Sequence, residues 1–146
     1  MSSAGSQRAR KGEPFSVRFS LPTDHVVEDE ARRTRRSKSA IVEALTEEAV
    51  RTRRFAGIGF RDEDAARRPW VIGSGLDVWE IIQILEDFGS NESLVKQTQL
   101  SERQVHLAVA YRDSYPEEIA EAIAGNRRTA EQWRELYPFI EFSPAA

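Results

Sequence analysis

Phe15, Val17, Phe19 and Leu21 alternate with Ser16, Arg18 and Ser20, the period of two that makes one face of a strand apolar and the other polar. No second strand pattern stands beside this one, and a two-stranded ribbon is marginal in water unless its apolar face packs on helices. The pattern therefore predicts a half-buried strand over 15–21 whose antiparallel partner is the same segment of a second copy. Pro14 and Pro22 bracket it at positions where a missing amide donor is tolerated. The period then lengthens. Val27 and Ala31, with Val26 alongside, sit four apart, and Thr23 or Asp24 can cap a helix beginning near His25. Glu28, Asp29 and Glu30 come early in that helix and Arg32, Arg33, Arg35 and Arg36 late, the order that a helix dipole favours. A second helix is predicted from a Ser37 cap through Ile41, Leu45 and Ala49, with Val42 beside them, to about Arg54.

Beyond Arg54 the pattern changes. Residues 55–60, Phe-Ala-Gly-Ile-Gly-Phe, fit a short strand or a close packing contact, and the charged run from Asp62 to Arg68 a loop or helical turn. Trp70-Val71-Ile72 leads into Gly73-Ser74-Gly75, a tight turn. Leu76 or Asp77 then opens a helix through Phe88 that is apolar at Ile81, Ile82, Ile84, Leu85 and Phe88 and ends at Gly89. Ser90 caps a short helix with Leu94 and Val95, and Ser101 caps one with Val105, Leu107, Ala108 and Tyr111. Pro116 starts a fourth, with Ile119, Ala122 and Ile123, closed by Gly125 and Asn126. The predicted fold class is mainly α: one strand and two helices, then a small helical bundle of helix-turn-helix type. The expected divisions are a disordered basic arm at 1–13, the strand-helix-helix module at 14–55, the bundle at 56–125 and a tail at 126–146.

Composition narrows the function classes. The 146 residues include no cysteine, which excludes disulfides and thiolate metal sites. The two histidines, His25 and His106, are far apart, no catalytic set emerges, and Gly73-Ser74-Gly75 lacks the lysine and spacing of a phosphate loop. Neither enzyme activity, metal nor cofactor is expected. No long apolar run or targeting segment appears, so a soluble cytoplasmic protein is expected, with no membrane partner. Net charge is −3, but Met1 to Arg54 carries 12 Lys+Arg against 8 Asp+Glu, net +4, while the rest carries 9 against 16, net −7. A basic N-terminal module can bind phosphates while the acidic remainder meets another partner.

A two-stranded ribbon fits the major groove of B-DNA, where Arg18 can bind guanine bidentately and Ser16 and Ser20 can donate or accept. The start of the second helix, with Ser37, Lys38 and Ser39, presents free amides and a cation toward a phosphate. The tail carries Arg127 and Arg128, then Trp133, Arg134, Leu136, Tyr137, Phe139, Ile140 and Phe142. Such apolar mass needs a cover, either the protein's own bundle or a groove on another protein.

Strand, helix, helix over Phe15 to Arg54 resembles the ribbon-helix-helix (MetJ/Arc-type) DNA-binding family. The resemblance implies an intertwined homodimer bound to double-stranded operator DNA, with Ser16, Arg18 and Ser20 reading bases and Ser37, Lys38 and Ser39 on the backbone. The inter-helix turn of that family commonly has a glycine where this chain has Thr34-Arg35-Arg36. Residues 70–78, Trp-Val-Ile-Gly-Ser-Gly-Leu-Asp-Val, with Asp87-Phe88-Gly89, Leu100-Ser101, Val105, Ala108, Ala110 and Tyr111, resemble family 433 among the domains of unknown function, over about Phe60 to Gly125. Family sequences usually have Gly-Thr-Arg at the place of Gly73-Ser74-Gly75. Members look like helix-turn-helix bundles and are often antitoxin components encoded beside a PIN-like ribonuclease toxin. This implies a toxin-antitoxin role, with the tail as the toxin-binding segment and Arg127, Arg128 or Arg134 facing the ribonuclease carboxylates. Two other readings stay open: a stand-alone repressor, or an adaptor whose ribbon only dimerises.

Overall fold

A computed structural model of the chain describes residues 11–62, 67–126, 132 and 135. It is mainly helical, with six helices and one two-stranded antiparallel sheet among the described residues. The chain divides into two compact units, Met1–Glu43 and Ala44–Ala146.

In the first unit, residues 11–20 are neither helix nor strand and α1 runs Leu21–Thr34. The helix starts earlier than the expected His25. Ser20 takes the N-cap place, and Pro22 falls in the first turn, where its missing N–H and fixed φ are no handicap. Leu21 is thus taken from the expected strand, and 15–20 form no strand pairing among the described residues. The apolar alternation is left in solvent: Phe15 is 85 % exposed, Val17 55 %, Phe19 37 % and Leu21 73 %. α1 ends in a Schellman turn, Arg36 N–H on Ala31 O and Arg35 N–H on Arg32 O, with Arg35 left-handed at φ 56°. Where a glycine would sit without strain, this chain holds an arginine. α2 spans Lys38–Arg54, as the Ser37 cap predicts, and the unit boundary falls within it. Val27 and Ile41 are buried, but Leu45 and Ala49, expected on the same apolar stripe as Ile41, are exposed.

The second unit is built around a hairpin and four helices. β1 (Ile58–Arg61) and β2 (Arg68–Val71) pair antiparallel, Ile58 opposite Val71 and Arg61 opposite Arg68. The charged run expected as a loop or helical turn therefore contributes Arg68 to a strand. Ile72 N–H bonds Gly57 O, so by the register the Phe60 carbonyl points to the free edge of β1. The Arg67 guanidinium covers that edge, donating to Phe60 O at 3.1 Å and to Asp62 O at 3.0 Å. The turn after Ile72 needs its glycines: Gly73 and Gly75 take φ of 87° and 74°, while Ser74 Oγ donates to Val71 O at 2.6 Å and accepts from Leu76 N–H.

α3 (Val78–Phe88) packs on β2, α4 (Asn91–Gln97), α5 (Glu102–Ser114) and α6 (Pro116–Asn126). The caps lie where the sequence placed them: Ser90 Oγ accepts Ser93 N–H, Ser101 Oγ accepts Gln104 N–H, and Gly89 closes α3 on Leu85 O. The core of this unit includes Ile58, Val71, Val78, Ile81, Ile82, Leu94, Val105 and Ile119. Tyr111 is wholly buried and its hydroxyl is satisfied by Arg51, which donates at 2.8 Å, and by Glu118, which accepts at 3.0 Å. Burial pushes the Tyr111 phenol above its ordinary range, with Glu118 adding to the shift. Burial opposes the Arg51 charge, yet Glu118 and Tyr111 hold the guanidinium above its ordinary range, and it also stacks 3.9 Å over the Tyr115 ring.

Candidate nucleic-acid interface

The predicted base readers and phosphate contacts all lie in the first unit. Ser16 and Arg18 are exposed in the segment before α1. Ser20 stands at the N-cap of α1, where its hydroxyl donates to Thr23 Oγ1 at 3.1 Å. One short segment therefore supplies two residues open to solvent and one engaged in starting a helix. Ser37 caps α2 by accepting Ala40 N–H at 3.1 Å, which leaves Lys38 and Ser39 exposed on the first turn beside the remaining free amides. That turn offers the positive end of the helix dipole and a cation on its rim.

The structure adds two acids: Asp24, a candidate helix cap in the sequence, and Glu28, expected to suit the dipole of α1. Asp24 and Glu28 are four apart in α1, hence on one face, and both reach Lys38, at 2.5 and 3.7 Å. The hydrogen bond from Lys38 holds the Asp24 carboxyl below its usual value, and the same bond raises the Lys38 ammonium. The i,i+4 acid pair was visible in the sequence, but its pairing across the inter-helix turn was not. Other cations of this unit also have partners: Arg32 with Asp29, Arg33 with Glu30 at 2.7 Å, and Lys11 with Glu43. Arg18, Arg35 and Arg36 have none among the described residues. The tail residues Arg127, Arg128, Trp133, Arg134, Leu136, Tyr137, Phe139, Ile140 and Phe142 lie outside the described residues, as does most of the arm.

A second charged cluster, in the other unit, has a different character. Asp77 at the start of α3 is only 1 % exposed. Its Oδ1 accepts Arg61 Nε at 2.8 Å, its Oδ2 accepts Trp79 Nε1 at 3.1 Å, and its own N–H donates to Glu80 Oε1 at 3.0 Å. Arg68 Nε lies 3.2 Å from Oδ2 but with its N–H out of line, so it contributes charge rather than a hydrogen bond. Arg61 also reaches Gly75 O and stacks 4.9 Å from the Trp70 ring. With both carboxylate oxygens engaged, the cluster ties the hairpin to the start of α3. Among the described residues no group of His, Asp and Glu is placed to hold a metal ion, and no helix is long and apolar enough to cross a membrane.

No protein-family model, no curated protein and no solved structure matches the chain. The two family resemblances therefore rest on the residues that carry them.

Proposed function

We propose that this protein is a dimeric DNA-binding repressor of the antitoxin kind. Its N-terminal segment pairs with that of a second copy as a ribbon in the major groove, the start of α2 grips the phosphate backbone, and the C-terminal half binds and neutralises a partner toxin, a PIN-like ribonuclease. The observation that carries this reading is the alternating apolar row Phe15, Val17 and Phe19, continued by Leu21 at the start of α1 and left in solvent, beside two helices that bury little of their own apolar surface. A second copy of the same segment covers it with matched chemistry and turns Ser16, Arg18 and, at the ribbon's end, Ser20 outward together. Val26, Leu45 and Val50, at 59 %, 44 % and 49 % exposure, are further apolar surface on the two helices that a dimer can use.

The test is a titration of wild type and Arg18→Ala against the DNA upstream of the protein's own gene and against a scrambled duplex. Wild type is expected to prefer its own DNA, and Arg18→Ala to lose about 1–3 kcal/mol of that preference, the value of one bidentate base contact. Failure of both proteins to bind either duplex at low salt would replace this reading with that of an adaptor. Truncation after Gly125 is expected to abolish co-purification with the toxin while leaving DNA binding intact.

A further inference from the structure

The start of α2 is the place where the proposed DNA reading needs positive charge, and there the structure balances that charge from within. Lys38 brings one positive charge; Asp24, 2.5 Å away, and Glu28, at 3.7 Å, bring two negative ones. A phosphate approaching Lys38 therefore competes with two carboxylates for it. We propose that Asp24 and Glu28 act as an internal stand-in for a DNA phosphate, holding Lys38 until an operator backbone displaces them; this inference rests on the DNA-binding reading above.

Several observations support it. Lys38 is held by two acids from a different helix. Arg32 and Arg33 are matched by neighbours three residues back in their own helix, an ordinary surface arrangement. The carboxylates are placed by α1 itself, since residues 24 and 28 share a face of it, and Lys38 reaches both from the first residue of α2. Asp24 is 27 % exposed and Lys38 49 %, so the pair is open enough to exchange one anion for another without unfolding anything. The opposed shifts of the two groups, Asp24 down and Lys38 up, agree with an engaged pair.

The consequence is discrimination. A DNA that docks without the correct register gains Lys38 on a phosphate only by losing Lys38 on Asp24, so random duplex gains little from this residue. An operator that seats the ribbon correctly brings its backbone close enough for the exchange. The salt dependence follows the same logic: a phosphate contact that replaces an internal ion pair adds less to the salt slope than one made by a free lysine, which contributes about 0.9 per phosphate.

The experiment uses the full-length protein as wild type, Asp24→Asn/Glu28→Gln, Lys38→Met and the combination of all three. Affinity for a scrambled duplex is measured by fluorescence anisotropy over a range of salt, and acetylation of Lys38 by an amine reagent is read by mass spectrometry without DNA. Asp24→Asn/Glu28→Gln is expected to bind the scrambled duplex roughly two- to thirtyfold more tightly per dimer, the span set by exposed ion pairs of ordinary strength in two subunits. Its salt slope should steepen, and Lys38 should acetylate faster. In the Lys38→Met background the same acid substitutions should leave affinity nearly unchanged. A gain that persists there overturns the proposal, because it reports general removal of negative charge. Equal acetylation of Lys38 in wild type and variant overturns the contact itself, whatever the DNA does. Faster acetylation with unchanged affinity overturns its role in binding, and does so while the operator preference of wild type still stands. If no protein binds any duplex at low salt, the DNA reading fails and the pair is only a strut between two helices.

Discussion

The two units of this chain treat apolar and charged residues in opposite ways. The C-terminal unit buries large side chains from β1, β2 and each of α3 to α6, and it buries polar groups as well: the Asp77 carboxylate, held by Arg61, and the Tyr111 hydroxyl, held by Arg51 and Glu118 at the surface. The N-terminal unit buries Val27 and Ile41, keeps Phe15, Val17, Phe19 and Leu21 in water, and pairs its charges on the surface. A sequence with apolar spacing in both halves has therefore produced one self-sufficient core and one half-core. On the proposed reading, a second copy of the chain supplies the layer that this half-core lacks.

The largest effect that sharpens this contrast comes from truncating each apolar set in turn. Ile81→Ala removes a wholly buried side chain from the C-terminal unit and should cost about 2–5 kcal/mol of its stability, read by urea unfolding at any protein concentration. Phe19→Ala should leave that transition within about 0.5 kcal/mol and instead raise the protein concentration needed for dimers, read by analytical ultracentrifugation. An Ile81→Ala loss that depended on protein concentration, or a Phe19→Ala loss that did not, would erase the distinction between the halves.

A smaller effect belongs to the inter-helix turn. Arg35 sits at φ 56°, a conformation that costs an L-residue about 1 kcal/mol or more. Arg35→Gly should recover about 1 kcal/mol for the N-terminal unit and nothing for the other, measured by hydrogen exchange of α1 and α2 amides against those of α3 and α5. Because Arg35 has no charged partner among the described residues, that gain is not offset by a lost ion pair.

The smallest effect is in pH dependence, where one carboxylate in each unit is displaced in a different direction. Burial raises the Glu80 carboxyl above its ordinary value of 4.5, against the Asp77 N–H bond that lowers it. The folded state then holds that proton more tightly than the unfolded chain, so this group's contribution to stability falls as pH rises through its folded pKa. Lys38 lowers the Asp24 carboxyl from 3.8, so that contribution is present above the ordinary value and is lost as pH falls through the folded pKa. Glu80→Gln, which keeps an acceptor for Asp77 N–H, should stabilise the C-terminal unit slightly at neutral pH, with the gain shrinking as pH approaches 4. Asp24→Asn should instead lose its effect only in stronger acid. Acid titrations followed by tryptophan fluorescence for the first and by exchange of α1 amides for the second would read the two signs.

The helices of both units were legible because their signals are local. Ser37, Ser90 and Ser101 each satisfy an amide three residues on, and Gly89 closes on a carbonyl four residues back, so a short window contains both partners. The start of α1 is ambiguous in sequence because Pro22 can end a strand and is equally at home in a first helical turn. Of the candidate interface, the polar alternation at Ser16 and Arg18 and the cap at Ser37 could be read directly. That Ser20 would be drawn into the helix start, and that Lys38 would be engaged by Asp24 and Glu28, could not.

What the sequence determined by itself, then, is where α2 to α6 lie, the tight turn at Gly73-Ser74-Gly75, and an N-terminal row of apolar residues with nothing obvious to cover it. Only the tertiary structure decided that β1 finds its partner in β2, that Asp77 is buried between two arginines, that Arg35 rather than a glycine turns left-handed, and that the acids of α1 close on Lys38. The division follows the range of the forces. Caps and periodicities act over one or two turns of chain, whereas a strand pairing or an ion pair between elements exists only once the backbone has brought distant residues within a few ångströms of one another.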